Sequence, residues 1–448
     1  MKTRRSLLVT LTMAVVVAAA GHAAGPRSKD SPSPIRRPRG IYVVLAEKRG
    51  AKDADLDALL SNPAISGVAL RTFWSALQPA KDRYDLSSVE AAFAAAAAKG
   101  KSVQLILVPG FGTPSWVLDE LTSCDGGQPP EGGERHKGRE GHRGAGAAGG
   151  RRAEASSGAI APCGKAMFKV SEGRAHGQAQ ELPLPWNPVY KSYWRAFLTE
   201  IASKYGTNSA FVSIAVAGPT AESVEIILPR AGDQLERWAQ LLERSYRNAS
   251  YHRSDKAFVE EWDAAVTMYG EIFHNVTLVV TRGSGLLNFT HGQGDAAQAE
   301  IMSAFARHDV GSNGKATQTS GMKACRETSA GIRGVKEMSE DRSFSPRVLG
   351  GAQFDTSFSQ KPAVEGCSAS CDASAAACRD ITPQQALANV LAVYFDDTPA
   401  GNLYGSKKGA APMNYMQIYA PDITYAATQP AVQAMLEQAS QRILAQAW

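Results

Sequence analysis

Apolar residues in this chain cluster in short continuous runs rather than in strict alternation with polar ones. Ile41–Leu45, Gly67–Arg71, Val103–Val108, Val212–Ala217, Val276–Val280, Ala316–Ser320, Val348–Phe354 and Tyr415–Tyr419 each read as a strand buried on both faces. Between them, helical spacing of apolar positions covers Ala54–Leu60, Val89–Lys99, Tyr190–Tyr205, Asp233–Asn248, Lys256–Phe273, Asp295–Arg307, Pro383–Tyr394 and Gln429–Ala447. Doubly buried strands alternating with helices belong in a parallel sheet covered on both sides. Eight such units predict a closed TIM (β/α)8 barrel. A doubly wound open sheet is the rival, but no Gly-rich phosphate loop follows the first strand.

Three stretches break this pattern. Lys2, Arg4 and Arg5 precede the apolar run Leu7–Ala20, and Gly21-His22-Ala23 supplies small residues. Residues 1–23 are therefore expected to be a cleaved secretory signal peptide, with Ala24 as a rival cleavage point. The run is short for a membrane span, and no later stretch is apolar enough to be one. Residues 24–39, rich in Pro, Ser and Arg, read as a flexible linker to a barrel domain over residues 40–448. Within that domain, residues 123–182 form an insertion after the third strand. Its Gly- and Ala-rich centre at Gly141–Gly150 lacks core-forming residues, so it is expected to be partly disordered.

Charge changes the picture little. The net +5 resides in the leader and in Glu134–Arg152, where six Lys/Arg face two Glu. The rest is near neutral, so the basic balance is no sign of nucleic-acid binding. Six cysteines in an exported chain predict disulfides. Cys124 and Cys163 bracket the insertion; Cys325, Cys367, Cys371 and Cys378 lie late, with Cys367, Cys371 and Cys378 in a Cys-rich loop after the seventh strand. Neither the cysteines nor the scattered histidines have metal-ligand spacing, so no metal and no cofactor are expected.

Two phrases carry a resemblance. The first is Arg71-Thr72-Phe73-Trp74, Leu77-Gln78-Pro79 and Tyr84-Asp85-Leu86; the second is Gly112-Thr113-Pro114-Ser115-Trp116. In this order and spacing, Ile41–Trp116 resembles the glycoside hydrolase barrels of clan A, the β-galactosidase-like enzymes in particular. The resemblance implies a barrel that cleaves oligo- or polysaccharides with two carboxyl groups. Trp74 and Trp116 follow strand ends, where an indole face would stack on a sugar ring. Arg71 would orient charge beside them. Both tryptophans also suit a packing role between barrel and helices.

The fourth strand runs into Gly218-Pro219 and then offers Glu222 and Glu225. Glu225 resembles the β-amylase general acid, which also follows a Gly-Pro turn and precedes a proline by four residues. Glu222 lies nearer the strand end, as the clan A acid does. The resemblance would put the second carboxylate at the end of the seventh strand, but Gln353 stands there. Asp355, two residues on, shares its strand face and is the expected base or nucleophile. The eighth strand brings Gln417 and Tyr419 as further sugar contacts, and Asp422 follows as a third-choice base. A catalytically inactive barrel that binds carbohydrate through Gln353 and Gln417 is the alternative, and an exported structural barrel is a third.

Overall fold

A computed structural model describes residues 34–46, 56–125, 163–171, 175–229, 233–246, 254–282, 294–322, 348–354, 357–359, 382–395, 397 and 413–446. The strands are β1 (Gly40–Ala46), β2 (Ile65–Phe73), β3 (Ser102–Val108), β4 (Lys165–Lys169), β5 (Ala179–Pro183), β6 (Phe211–Ala215), β7 (Thr277–Arg282), β8 (Gly314–Met322), β9 (Leu349–Phe354) and β10 (Tyr415–Tyr419). Eight of them close a barrel in the order β1-β10-β9-β8-β7-β6-β3-β2, every pair parallel. The fold is thus the expected TIM barrel, and all eight anticipated strands are present.

Helices between the strands cover the barrel because each strand buries both faces; β6 and β9 are buried at every position. Inside, large rings force small neighbours. Tyr42 and Tyr415, on the neighbouring strands β1 and β10, meet edge to face at 6.2 Å. A Cβ at Gly351 would lie 2.1 Å from the Tyr415 ring, so this strand position tolerates no side chain.

Outside, an aromatic wedge fills the gap between β2 and the helix Pro188–Tyr205. Trp74 lies 5.0 Å from Trp194, 5.6 Å from Phe197 and 6.0 Å from Tyr190, ring centre to ring centre. That helix starts where the sequence supplies a cap and a proline. Asn187 Oδ1 accepts from the N–H groups of Val189 (2.9 Å) and Tyr190 (3.1 Å), and Pro188 follows it.

The described end of the insertion holds an element the periodicity did not anticipate. β4 and β5 pair antiparallel from Lys165↔Pro183 to Lys169↔Ala179. Both strands carry mixed polar and apolar residues in a Gly- and Arg-rich context, which masks their alternation. The Cys124–Cys163 disulfide ties the chain after the helix Ser115–Asp119 to the residue just ahead of β4. Cys325, Cys367, Cys371 and Cys378 lie outside the described residues. Among the described residues no helix is long and apolar enough to cross a membrane. Three short helices, Trp74–Leu77, Ser115–Asp119 and Ala420–Ala427, also escaped the sequence reading, the first two being barely one turn long.

Candidate active site

Strand alternation aims one residue in two at the lumen. Register then brings the inward residues to common levels: Gln353 pairs with Gln417, Ala69 with Gln104, and Gln104 with Ser213. The result is a belt of amides across the barrel. Tyr415 donates its hydroxyl to Gln318 Oε1 at 2.8 Å. Gln318 Nε2 donates to Gln417 Oε1 (3.1 Å) and Gln353 Oε1 (3.3 Å). Gln417 Nε2 donates to Gln104 Oε1 (2.7 Å), and Gln353 Nε2 donates to the Tyr419 hydroxyl (3.1 Å). Burial pushes Tyr42 up to about 12 and raises Tyr415 well above the ordinary tyrosine value. Both hydroxyls therefore stay protonated, as the Tyr415 bond requires.

Above the belt lies a cavity of about 10 Å³ lined by Arg71, Gln104, Ser213, Ser223, Glu225, Thr281, Gln318, Gln353 and Gln417 among others. Its volume is that of about one water molecule. Polar residues in buried strands are the signal that could have flagged Gln104 and Gln318, which the sequence reading passed over. Each interrupts an apolar or small-residue run that is otherwise fit for a core.

The loop after β6 decides which acid reaches this cavity. Val216 N–H bonds to Val279 O at 2.8 Å, extending the strand. A Cβ at Gly218 would lie 2.6 Å from the Trp262 ring, so the loop packs flat on that indole. Thr220 Oγ1 then donates to Glu225 O (2.7 Å), and Ala221 N–H donates to Ile227 O (2.8 Å), so the chain folds back on itself. Phe111 N–H donates to Ala221 O at 2.8 Å, tying the loop to the end of β3. The turn aims Glu225 at the barrel cavity. It aims Glu222 elsewhere: the Glu222 carboxylate accepts the Ser171 N–H, beside the β4–β5 hairpin.

The remaining anticipated residues divide. Arg71, Gln353 and Gln417 line the cavity with Glu225, and Tyr419 touches it through Gln353. Trp74 is 0% exposed inside the aromatic wedge, with its indole N–H held by Gln78 Oε1 at 2.9 Å. Trp116 packs edge to face on Tyr193 at 5.1 Å and donates to Gln78 O at 3.1 Å. Neither indole lines the cavity, so their surroundings are those of packing residues. Asp422 is buried away from it. Its Oδ1 accepts from Ser357 Oγ (2.7 Å), Ser359 N–H (2.9 Å) and Ser359 Oγ (2.8 Å), while Oδ2 has no partner among the described residues. Burial raises its pKa above the ordinary aspartate value, against the pull of those donors. Asp355 lies outside the described residues. Among the described residues no three His, Cys, Asp or Glu side chains converge as metal ligands would.

No known family model and no curated protein matches the chain. Solved structures similar to it include the following three. The catalytic domain of β-amylase from Paenibacillus polymyxa is 9% identical, with a TM-score of 0.48 over 90% of this chain and 99% of that one. Xylanase 10B from Thermotoga maritima is 10% identical, with a TM-score of 0.43 over 90% and 96%. The β-galactosidase from the psychrophilic Marinomonas ef1 is 12% identical, with a TM-score of 0.38 over 70% and 48%. These neighbours are glycoside hydrolases. At such scores they lend no residue roles to this chain, and the barrel assignment stands on its own strand pairing.

Proposed function

We propose that this chain is an exported glycoside hydrolase acting on an oligo- or polysaccharide, with Glu225 as general acid and Asp355 as base or nucleophile. The observation that carries the reading is Glu225 itself. It is the carboxylate, among the described residues lining the cavity, that sits at the strand-end face where barrel enzymes do chemistry. Asp355 follows β9, three strands round the ring from β6. Two carboxyls facing each other at roughly 5–10 Å would protonate the leaving oxygen and attack or activate water. Gln353, Gln417 and Tyr419 would hold sugar hydroxyls, and Arg71 would orient charge beside them. Glu222, engaged with Ser171, is the weaker acid candidate. Export rests on the leader pattern, and the Cys124–Cys163 bridge suits an oxidising compartment.

A second reading, a barrel that binds carbohydrate without cleaving it, is favoured by one observation. The strand-end positions on β9 and β10 carry amides already tied into the belt. An amide neither attacks an anomeric carbon nor takes a proton from water. One experiment separates the two. The purified full chain is screened on aryl-glycosides and a polysaccharide panel beside Glu225→Gln, Glu222→Gln and Asp355→Asn. Turnover lost in Glu225→Gln and Asp355→Asn, but kept in Glu222→Gln, is the expected result. Sugar binding without turnover selects the second reading, and neither binding nor turnover ends both.

A further inference from the structure

Two hydrogen-bond donors on the cavity wall have no partner among the described residues. Gln104 is 2% exposed, yet its Nε2 has no partner among the described residues, because the belt uses only its oxygen. Arg71 is half-buried and, among the described residues, makes no hydrogen bond or ion pair. Register explains why they share one cavity. Ala69 pairs with Gln104 and Arg71 with Ile106, so Arg71 and Gln104 are diagonal neighbours on the inner face. Such neighbours stand about 7–8 Å apart, within reach of long side chains.

A buried donor left unsatisfied is costly, and Arg71 forms no ion pair with Glu225, the carboxylate that shares the cavity lining. The group that relieves both must accept only, and must be negative. A sugar hydroxyl fails the second condition, and it brings a proton that needs an acceptor of its own. A carboxylate meets both: its planar pair of oxygens matches the guanidinium fork. The cavity, at about 10 Å³, admits one oxygen atom at Gln104 while the other remains on Arg71.

We infer that the sugar unit recognised at the barrel mouth is a uronate, its carboxylate held by Arg71 and Gln104. This rests on the carbohydrate reading above and narrows it to acidic glycans. The test is calorimetric binding of the full chain to uronate oligosaccharides, their methyl esters, neutral oligosaccharides of the same linkage and sulfated ones. The uronate is expected to bind about tenfold or more tighter than its methyl ester, the worth of a hydrogen bond to a charged group. Arg71→Met should abolish that preference, and Gln104→Leu should narrow the acid-to-ester affinity ratio several-fold. The acid-to-ester comparison needs no variant, so a misfolded mutant leaves the test intact. Equal affinity for acid and ester overturns the inference while the carbohydrate reading stands. Preference for sulfated over uronate ligands overturns the carboxylate assignment. Binding to none of the four overturns both.

Discussion

The barrel has two kinds of interior, and they are built on opposite principles. Outside the strands, Trp74, Trp194, Phe197 and Tyr190 pack ring against ring, and the Trp74 N–H is satisfied locally by Gln78. Inside them, Gln104, Gln318, Gln353 and Gln417 hold one another by hydrogen bonds, and the chain ends on Gln104, whose Nε2 has no partner among the described residues. The wedge gains from every ring it buries. The belt gains little, since each of its bonds replaces one to water and is worth only about 1 kcal/mol net. A core built for stability alone would have filled the lumen with aliphatic side chains, as barrels commonly do. The amide belt is retained at a cost, and such costs concentrate at sites that bind something.

That contrast can be tested from the most damaging change downward. Glu225→Gln should lower turnover by about 10²–10⁴-fold, the usual worth of a positioned acid, with an unchanged denaturation midpoint. Loss of folding in this variant would show that the loop acid serves structure instead. Trp74→Ala should cost about 3–5 kcal/mol in urea unfolding, because it opens a cavity in a dry, fully buried cluster. Gln318→Leu should cost less, about 1–3 kcal/mol, since it strands the Tyr415 hydroxyl and two amide oxygens. If Gln318→Leu proved stabilising, the belt would be no network, and the contrast would fail.

The smallest effect is one of pH. Burial raises Asp422, so the folded state favours its protonated form. The stability this gives is complete below the ordinary aspartate range and is lost as pH rises through the raised folded value. Asp422→Asn keeps an oxygen for Ser357 and Ser359 and has no charge to bury. Its stability relative to the wild type should therefore rise from acid to neutral pH, read as urea midpoints across that range. A constant difference would mean that Asp422 titrates alike in the folded and unfolded chain.

Much of this molecule was written in its hydrophobic pattern. Eight apolar runs separated by amphipathic stretches specify eight parallel strands under a helical cover, because a strand buried on both faces has no other stable home. The two cysteines at the edges of the insertion likewise marked a bridge that is present. What the pattern could not decide was direction and company. Glu222 and Glu225 share an irregular loop with no period to tell one face from another. Only the fold-back at Thr220 turned one to the cavity and the other to Ser171. Trp74 lies at a strand end, where rim and core look alike until the helix Pro188–Tyr205 closes over it. The belt belongs to the closed ring alone: Gln104 and Gln417 stand 313 residues apart, and ring closure sets them 2.7 Å from each other.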